Sequence, residues 1–208
     1  MTDASHLRAW DVYYHQQPAT KAVRNRKAYF HSLLDQHNRV RERLRVLNLA
    51  SGPGRCMFEW LKANPNAECL FECVEIDEKA IVYATDLNQI FAKRISFHHS
   101  NILHWRPLNE IERYDVIWAS GIFDYFSDRI FRSLLGRLLR YLHTEGELII
   151  GNFSRDNPSR PYMEIIGDWA LFHRSENELL QLAMDCGIDS KKLFIGREPE
   201  GAAFCSCH

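Results

Sequence analysis

The spacing of apolar positions changes character near residue 44. Before it, "ASHLRAWDVYYHQ" and "ATKAVRNRKAYFHSLLDQHN" show helical spacing. The second puts Val23, Tyr29 or Phe30, Leu33 and Leu34 near one face, with arginines and lysines elsewhere. After it, short apolar runs alternate with helix-spaced ones. "RLRVLNLA" predicts a strand, and "RCMFEWLKAN" a helix that Asn64-Pro65 ends. "ECLFECVEI" predicts the next strand, and "DEKAIVYATDLNQIFAK" a helix with Ala80, Ile81, Ala84 and Leu87 on one side. "RISFHHS" and "YDVIWAS" predict two more strands, "SDRIFRSLLGRLLRYL" an amphipathic helix, and "GELIIGNF" a strand. "SENELLQLAMDCG" predicts a helix ending at a glycine, and "KKLFIGRE" and "AAFCSCH" two closing strands.

Strands alternating with helices predict a mostly parallel sheet with right-handed crossovers and helices on both faces. The two final strands, with no helix between them, predict an antiparallel hairpin closing one edge. The fold class expected is a doubly wound α/β sheet of seven strands.

Length and composition narrow the function classes. A chain of 208 residues fits one large domain. A formal net charge of -1 gives no electrostatic case for nucleic acid or an anionic membrane surface. No apolar run approaches the ~20 residues of a membrane span, so no integral membrane association is expected. "MTDASHLRAWDVYYHQQ" lacks the apolar core of a signal peptide. Six cysteines (Cys56, Cys69, Cys73, Cys186, Cys205, Cys207) are too few for a disulfide scaffold, and a cytoplasmic location is the expectation.

The candidate chemistry begins at "VLNLASGPGR", where a strand runs into a helix through Gly52 and Gly54. Ligands of open α/β sheets sit beyond the strands' carboxyl ends, where bare backbone and helix N–H groups approach them closely. A tight packing turn is the alternative. Glu75 ends the next strand, 21 positions past Gly54, where a carboxylate accepts from ribose hydroxyls. Asp77 instead fits the N-cap of the following helix.

"LNLASGPGR", Glu75 and the seven-strand order together resemble the class I S-adenosylmethionine-dependent methyltransferases over residues 44–207. Asn48 stands where that family usually has an acidic residue, and Arg55 where a third glycine is common. The resemblance implies a Rossmann-like sheet and S-adenosylmethionine as cofactor. It also implies that Ala50, Ser51, Gly52 and Gly54 meet the methionine end, Glu75 the ribose and Ile76 the adenine. Asn101, beside Ile102, stands where the family often has Asp, and serves either the adenine or a turn. Ser120, Gly121 and Phe123 in "WASGIFDYF" are then expected to close the pocket. More narrowly, "SGIFDYFSD", "GNFSRDNPSRPYMEIIGDW" and "FHRSENELLQLA" resemble bacterial methyltransferases assigned to 3-hydroxypalmitic acid methyl ester, an extracellular quorum-sensing signal.

The connection before Ser175 runs to about twenty residues, long enough to suggest function. It carries Pro158, Pro161, Tyr162, Met163, Ile165, Ile166, Trp169, Leu171 and Phe172, too apolar to float in solvent. A short helix covering the site over 154–174 is expected, with residues 1–43 a second, helical cover and 44–208 the cofactor-binding domain. Methyl transfer from a sulfonium needs an aligned nucleophile and excluded water, and a base only when the nucleophile carries a proton. A carboxylate acceptor would be oriented by Arg174, Arg160, His173 and Tyr162. An amine or phenol would use His173 or Asp124, beside Tyr125, as base. His173-Arg174 also reads as lead-in to a capping box at Ser175 and Glu178. Tyr14 and one arginine, Arg24, are expected to reach the cofactor carboxylate or an acid substrate, and plain amphipathic packing is the alternative.

The leading expectation is therefore a methyltransferase of a small or lipid-like acceptor, with a carboxylic acid the first choice and an amine or phenol the second. A binding domain without turnover is the third. "CSCH" and His98-His99 lack ligand spacing, so no metal is expected, and Cys205 and Cys207 are read as packing inward.

Overall fold

The computed structural model describes residues 5–108, 113–198 and 202–207, without the side chains of 5–7 and 202–207. Helix α1 (Ser5–Gln16) is followed by α2 (Pro18–Val40). Pro18 sits at the first position of α2, where a missing N–H costs nothing. Then come β1 (Arg43–Leu49), α3 (Arg55–Ala63), β2 (Glu68–Glu75), α4 (Glu78–Leu87), β3 (Ile95–His99) and β4 (Tyr114–Ala119). The second half holds α5 (Asp128–Leu138), β5 (Leu142–Phe153), α6 (Arg160–Ile165), α7 (Glu176–Met184), β6 (Leu193–Arg197) and β7 (Ala202–Cys207).

The strands form one sheet in the order β3-β2-β1-β4-β5-β7-β6. β1 to β5 run parallel, and β7 pairs antiparallel with both β5 and β6, which is the expected closing hairpin. Strand order reverses between β1 and β4, and this places the ligand crevice at their carboxyl ends.

Side-chain alternation along the strands builds two cores. Val46, Val116, Trp118 and Ile149 meet α2 and α3 through Phe30, Leu33, Leu34, Met57 and Trp60. Leu47, Leu49, Ile117, Leu148 and Ile150 face Phe131, Leu134 and Leu135 of α5 and Leu179 and Leu182 of α7. The N-terminal segment is thus more than a cover, because α2 contributes directly to the first core.

Three boundaries differ from the sequence reading. The helix expected through residue 93 stops at Leu87, where the buried Asn88 amide donates to Ala84 O at 2.8 Å and a 3-10 turn follows. The helix expected through residue 142 likewise tightens into a 3-10 turn after Leu138. β5 starts at Leu142 rather than Gly146, because a register shift against Tyr114 and Val116 absorbs extra residues. Among the described residues no helix is long and apolar enough to cross a membrane.

Gly54 is set by packing. It adopts a left-handed φ of +67° as the cap of α3, and an added Cβ would lie 2.9 Å from Asn88 Nδ2 and 3.2 Å from Ala84 Cβ. Gly54→Ala is expected to destabilise by about 2–4 kcal/mol, combining the αL penalty with overpacking. Denaturant unfolding measures it, with Gly52→Ala as the comparison. Gly52 is also left-handed, but an added Cβ meets nothing within 4 Å, so about 1–2 kcal/mol is expected there.

Candidate active site

The loop after β1 carries a left-handed backbone at every second position: Ala50 at φ 52°, Gly52 at φ 56° and Gly54 at φ 67°. Ala50 N and Ser51 N donate to Val74 O, which ties the loop to the end of β2. The Glu75 carboxylate does the rest. Its Oε2 accepts from Gly52 N at 2.7 Å, and its Oε1 accepts from Ile76 N at 2.8 Å and Asp77 N at 3.0 Å. Three N–H donors thus fix the carboxylate: Oε1 is filled by two of them, and Oε2 keeps acceptor capacity on its open side. Asp77 caps α4 through Lys79 N, as the sequence predicts.

A cleft of about 140 Å³ opens beside this carboxylate, walled by Ala50, Glu75, Ile76, Asn101, Ile102 and Phe126. Ile76 is 62% exposed, an apolar surface offered to solvent at the rim, while Ile102 is buried beneath. Asn101 makes the turn that was one of its two expected roles. Its Oδ1 accepts from Leu103 N at 2.8 Å to make the turn, and its amide nitrogen has no partner among the described residues.

These features suit an adenosyl group. An exposed apolar wall matches a base, an amide donor matches a ring nitrogen, and the open side of a preorganised carboxylate oxygen matches the ribose edge. Ser51 and Gly54 depart from the expected set at side-chain level. Ser51's hydroxyl lies against the buried Cys73 thiol, and Gly54 faces α4, so only their backbone is left for a ligand.

Beyond β4 the expectations divide. Phe123 is fully buried against Phe131, with ring centroids 4.7 Å apart, so it belongs to the core and does not close a pocket. Gly121 lies exposed, with an added Cβ 3.6 Å from Arg26 Nη1, and Ser120 O accepts a hydrogen bond from that same guanidinium. Arg26, not Arg24, is the arginine that α2 sends to the strand ends. It stacks on Phe153 at 4.8 Å and stands 4.0 Å from Asp124. Arg24 turns back to His15 O at 2.5 Å and stays exposed, because its position on α2 faces away from the sheet.

Asp124 is buried, and its Oδ1 accepts from Phe153 N at 2.6 Å. Burial pushes its pKa up to about 6, opposed by Arg26, the Phe153 N–H and Arg174. The folded chain therefore holds this proton at a higher pH than the unfolded chain, whose aspartate titrates near ~3.9. Asp124's contribution to stability is complete below about pH 4 and is lost as pH rises through about 6. Urea midpoints of wild type and Asp124→Asn check this. The wild-type advantage should shrink between pH 4.5 and 7, and growth over that range would contradict it.

The remaining catalytic candidates are engaged inside the protein. Arg174 is buried; its Nη1 donates to Asn152 Oδ1 at 2.8 Å and Phe123 O at 3.3 Å, and its Nη2 to Phe126 O at 2.5 Å and Asp128 Oδ1 at 3.0 Å. It braces the β4 and β5 loops and does not face an acceptor. His173 sits buried with Nδ1 3.2 Å from Leu171 O and Nε2 3.2 Å from Asn157 Nδ2. Burial lowers its pKa, so it stays neutral with the proton on Nδ1, and both nitrogens are used. Arg160 pairs with Glu164 on the surface at 2.8 Å. Ser175 and Glu178 form the predicted capping box.

Tyr125 and Tyr162 remain accessible. Tyr125 is half exposed, and its hydroxyl accepts from Trp169 Nε1 at 2.9 Å. Tyr162, on the expected short helix α6, meets Tyr13 and Tyr14 of α1, with ring centroids 5.6 and 6.4 Å apart. Sequence reasoning missed Asn157 and Ser159. Both are buried, and Ser159 Oγ accepts from Ala19 N at 3.2 Å, joining the connection to α2; "NPS" before a helix was the available signal. His98 and His99 point apart, toward Glu72 and Ile76 O. Among the described residues no three metal-ligating side chains gather. The side chains of Cys205 and Cys207, and all of His208, lie outside the described residues.

The chain belongs to the methyltransferase-domain family, whose model matches residues 41–188, and is a methyltransferase at that level. Its fold is similar to that of a protein from Bordetella parapertussis described as a candidate exported protein. The TM-score is 0.76 at 18% identity, covering 94% of this chain and 71% of that one. An O-methyltransferase candidate from Nostoc punctiforme gives a TM-score of 0.66 at 16% identity, over 88% of this chain and 55% of its own. The magnesium protoporphyrin IX methyltransferase of Synechocystis, solved with S-adenosylhomocysteine, gives 0.65 at 13% identity, over 90% and 83%. At such identities the likeness is one of fold. No curated protein matches the chain.

Proposed function

We propose that the chain binds S-adenosylmethionine in the cleft at the ends of β1 and β2 and methylates a small-molecule acceptor. The observation that carries this reading is the Glu75 carboxylate, held by Gly52 N–H at 2.7 Å and open toward the cleft. When bound, that cofactor supplies a sulfonium methyl to which the acceptor atom bonds as the carbon–sulfur bond breaks, its electron pair staying on sulfur.

The protein's share is placement and exclusion of water. Glu75 would take the ribose edge, Ile76 and Asn101 the adenine, and the backbone from Ala50 to Gly52 the amino-acid end. Arg26 ties α2 to Ser120 O beside the site, which supports a positioning role for the N-terminal helices. Of the four partners expected for a carboxylic acid, and so for a methyl ester product, Arg174, His173 and Arg160 are engaged by protein groups, and Tyr162 is left.

Calorimetry with S-adenosylhomocysteine tests the reading. Binding with a Kd below about 100 μM, or about −5.5 kcal/mol, is expected. No heat at millimolar ligand would remove the proposal.

A further inference from the structure

A second cavity, of about 280 Å³, lies between α1, α2 and α6, lined in part by Tyr14, Gln17, Thr20, Tyr162, Met163 and Trp169. We infer that this slot is the acceptor site and takes a neutral, flat ring compound bearing a hydroxyl or amine. The inference rests on the methyltransferase reading above and names its substrate class.

Its lining is the first argument. No Asp, Glu, Lys, Arg or His lines it, the rest being Ala19 and Gly167. A carboxylate or ammonium entering it would leave water without a counter-charge, whereas a neutral ring would not. The volume is at the low end for ligand pockets, about 300–1,000 Å³, which suits one or two fused rings and not a long acyl chain.

Ring geometry is the second argument. Tyr162 stands edge-on to Tyr13 at 73° and tilted to Tyr14 at 46°, so its orientation is fixed by neighbours before anything binds. Trp169 is held perpendicular to Phe153, and its indole N–H is spent on Tyr125 OH. Both rings are left to act through their π-surfaces, where an aromatic partner gains beyond simple burial.

The polar groups are the third. Gln17 Nε2 donates to Tyr13 O at 3.2 Å, which leaves Gln17 Oε1 as an acceptor in a slot also lined by the hydroxyl-bearing Tyr14, Thr20 and Tyr162. That oxygen can only accept, so it suits a ligand that carries a donor, such as a phenol or aromatic amine. The Trp169–Tyr125 hydrogen bond joins this slot to the turn whose next residue, Phe126, walls the cofactor cleft.

The test uses 2-naphthol, 2-naphthoate and decanoate as probes, titrated into the full chain with and without saturating S-adenosylhomocysteine. 2-Naphthol should bind at least tenfold more tightly than 2-naphthoate or decanoate. Tyr162→Ala and Gln17→Ala should each weaken 2-naphthol at least fivefold while S-adenosylhomocysteine affinity stays within twofold. Equal or tighter binding of either acid overturns the inference, as does unchanged 2-naphthol binding in both folded variants. Selective naphthol binding without any binding of S-adenosylhomocysteine would sustain the slot and defeat the methyltransferase reading, so the two failures separate.

Discussion

Glu75→Ala is expected to weaken S-adenosylhomocysteine binding about tenfold to a hundredfold while leaving the chain folded. The carboxylate has two tasks. It accepts from Gly52 N, Ile76 N and Asp77 N, and it presents its remaining acceptor capacity to the cleft. A hydrogen bond to a charged group contributes roughly 1.5–3 kcal/mol, and Glu75 has one acceptor site open to the ribose, so the loss is ~1.5–3 kcal/mol, at one decade per 1.4 kcal/mol. The freed N–H groups lie at the rim, where water replaces the lost acceptor, so the cost in stability should stay near ~1–2 kcal/mol. Glu75→Gln sharpens the reading. It keeps the length of the side chain but turns an amide NH₂ toward one of the backbone donors, and its affinity should fall between wild type and alanine. Calorimetry beside thermal melts separates binding from folding. A folded Glu75→Ala chain with wild-type affinity would show that the ribose lies elsewhere.

Why the place of Glu75 was readable from sequence and that of Arg174 was not is a matter of range. Strand alternation, the Asn64-Pro65 break and the Ser175 capping box are local effects, and a local pattern suffices for them. Glu75 belongs with these, because its neighbours in the loop and at the strand end follow from the βαβ geometry itself. The role of an arginine is decided by what other segments bring to it. Arg174 meets Phe123, Phe126, Asp128 and Asn152, and Arg26 meets Ser120, Asp124 and Phe153, all distant in sequence. Arg24 and Arg26 differ by two positions on α2, roughly half a helical turn in direction, and only packing shows which one points at the sheet. Phe123 followed a strand and read as a pocket wall, but the 3-10 turn from Phe123 to Tyr125 rotates it into the core and leaves Tyr125 outside.

Arg174→Ala should unfold the loops that frame the site before it affects any chemical step. The guanidinium is only 3% exposed and holds three backbone or side-chain oxygens of the β4 and β5 loops besides Asp128. Removing it strips buried acceptors of their donor, a change that costs ~3–5 kcal/mol when a buried charged partner is lost. At ~2–4 °C per kcal/mol for a chain of this size, Tm should fall by about 6–20 °C. Lysine should recover less than half of that, because one ammonium cannot span Phe126 O and Asn152 Oδ1 together as the planar fork does. Asp128 offers the contrast. Its side chain is 61% exposed, so Asp128→Ala should cost under ~1 kcal/mol even though it closes an ion pair at 3.0 Å. Were Arg174 instead the residue that orients an acid acceptor, its alanine variant would melt like wild type and lose acceptor affinity alone. Paired melting and binding curves therefore decide between a brace and a substrate contact, and the buried carbonyls around the guanidinium favour the brace.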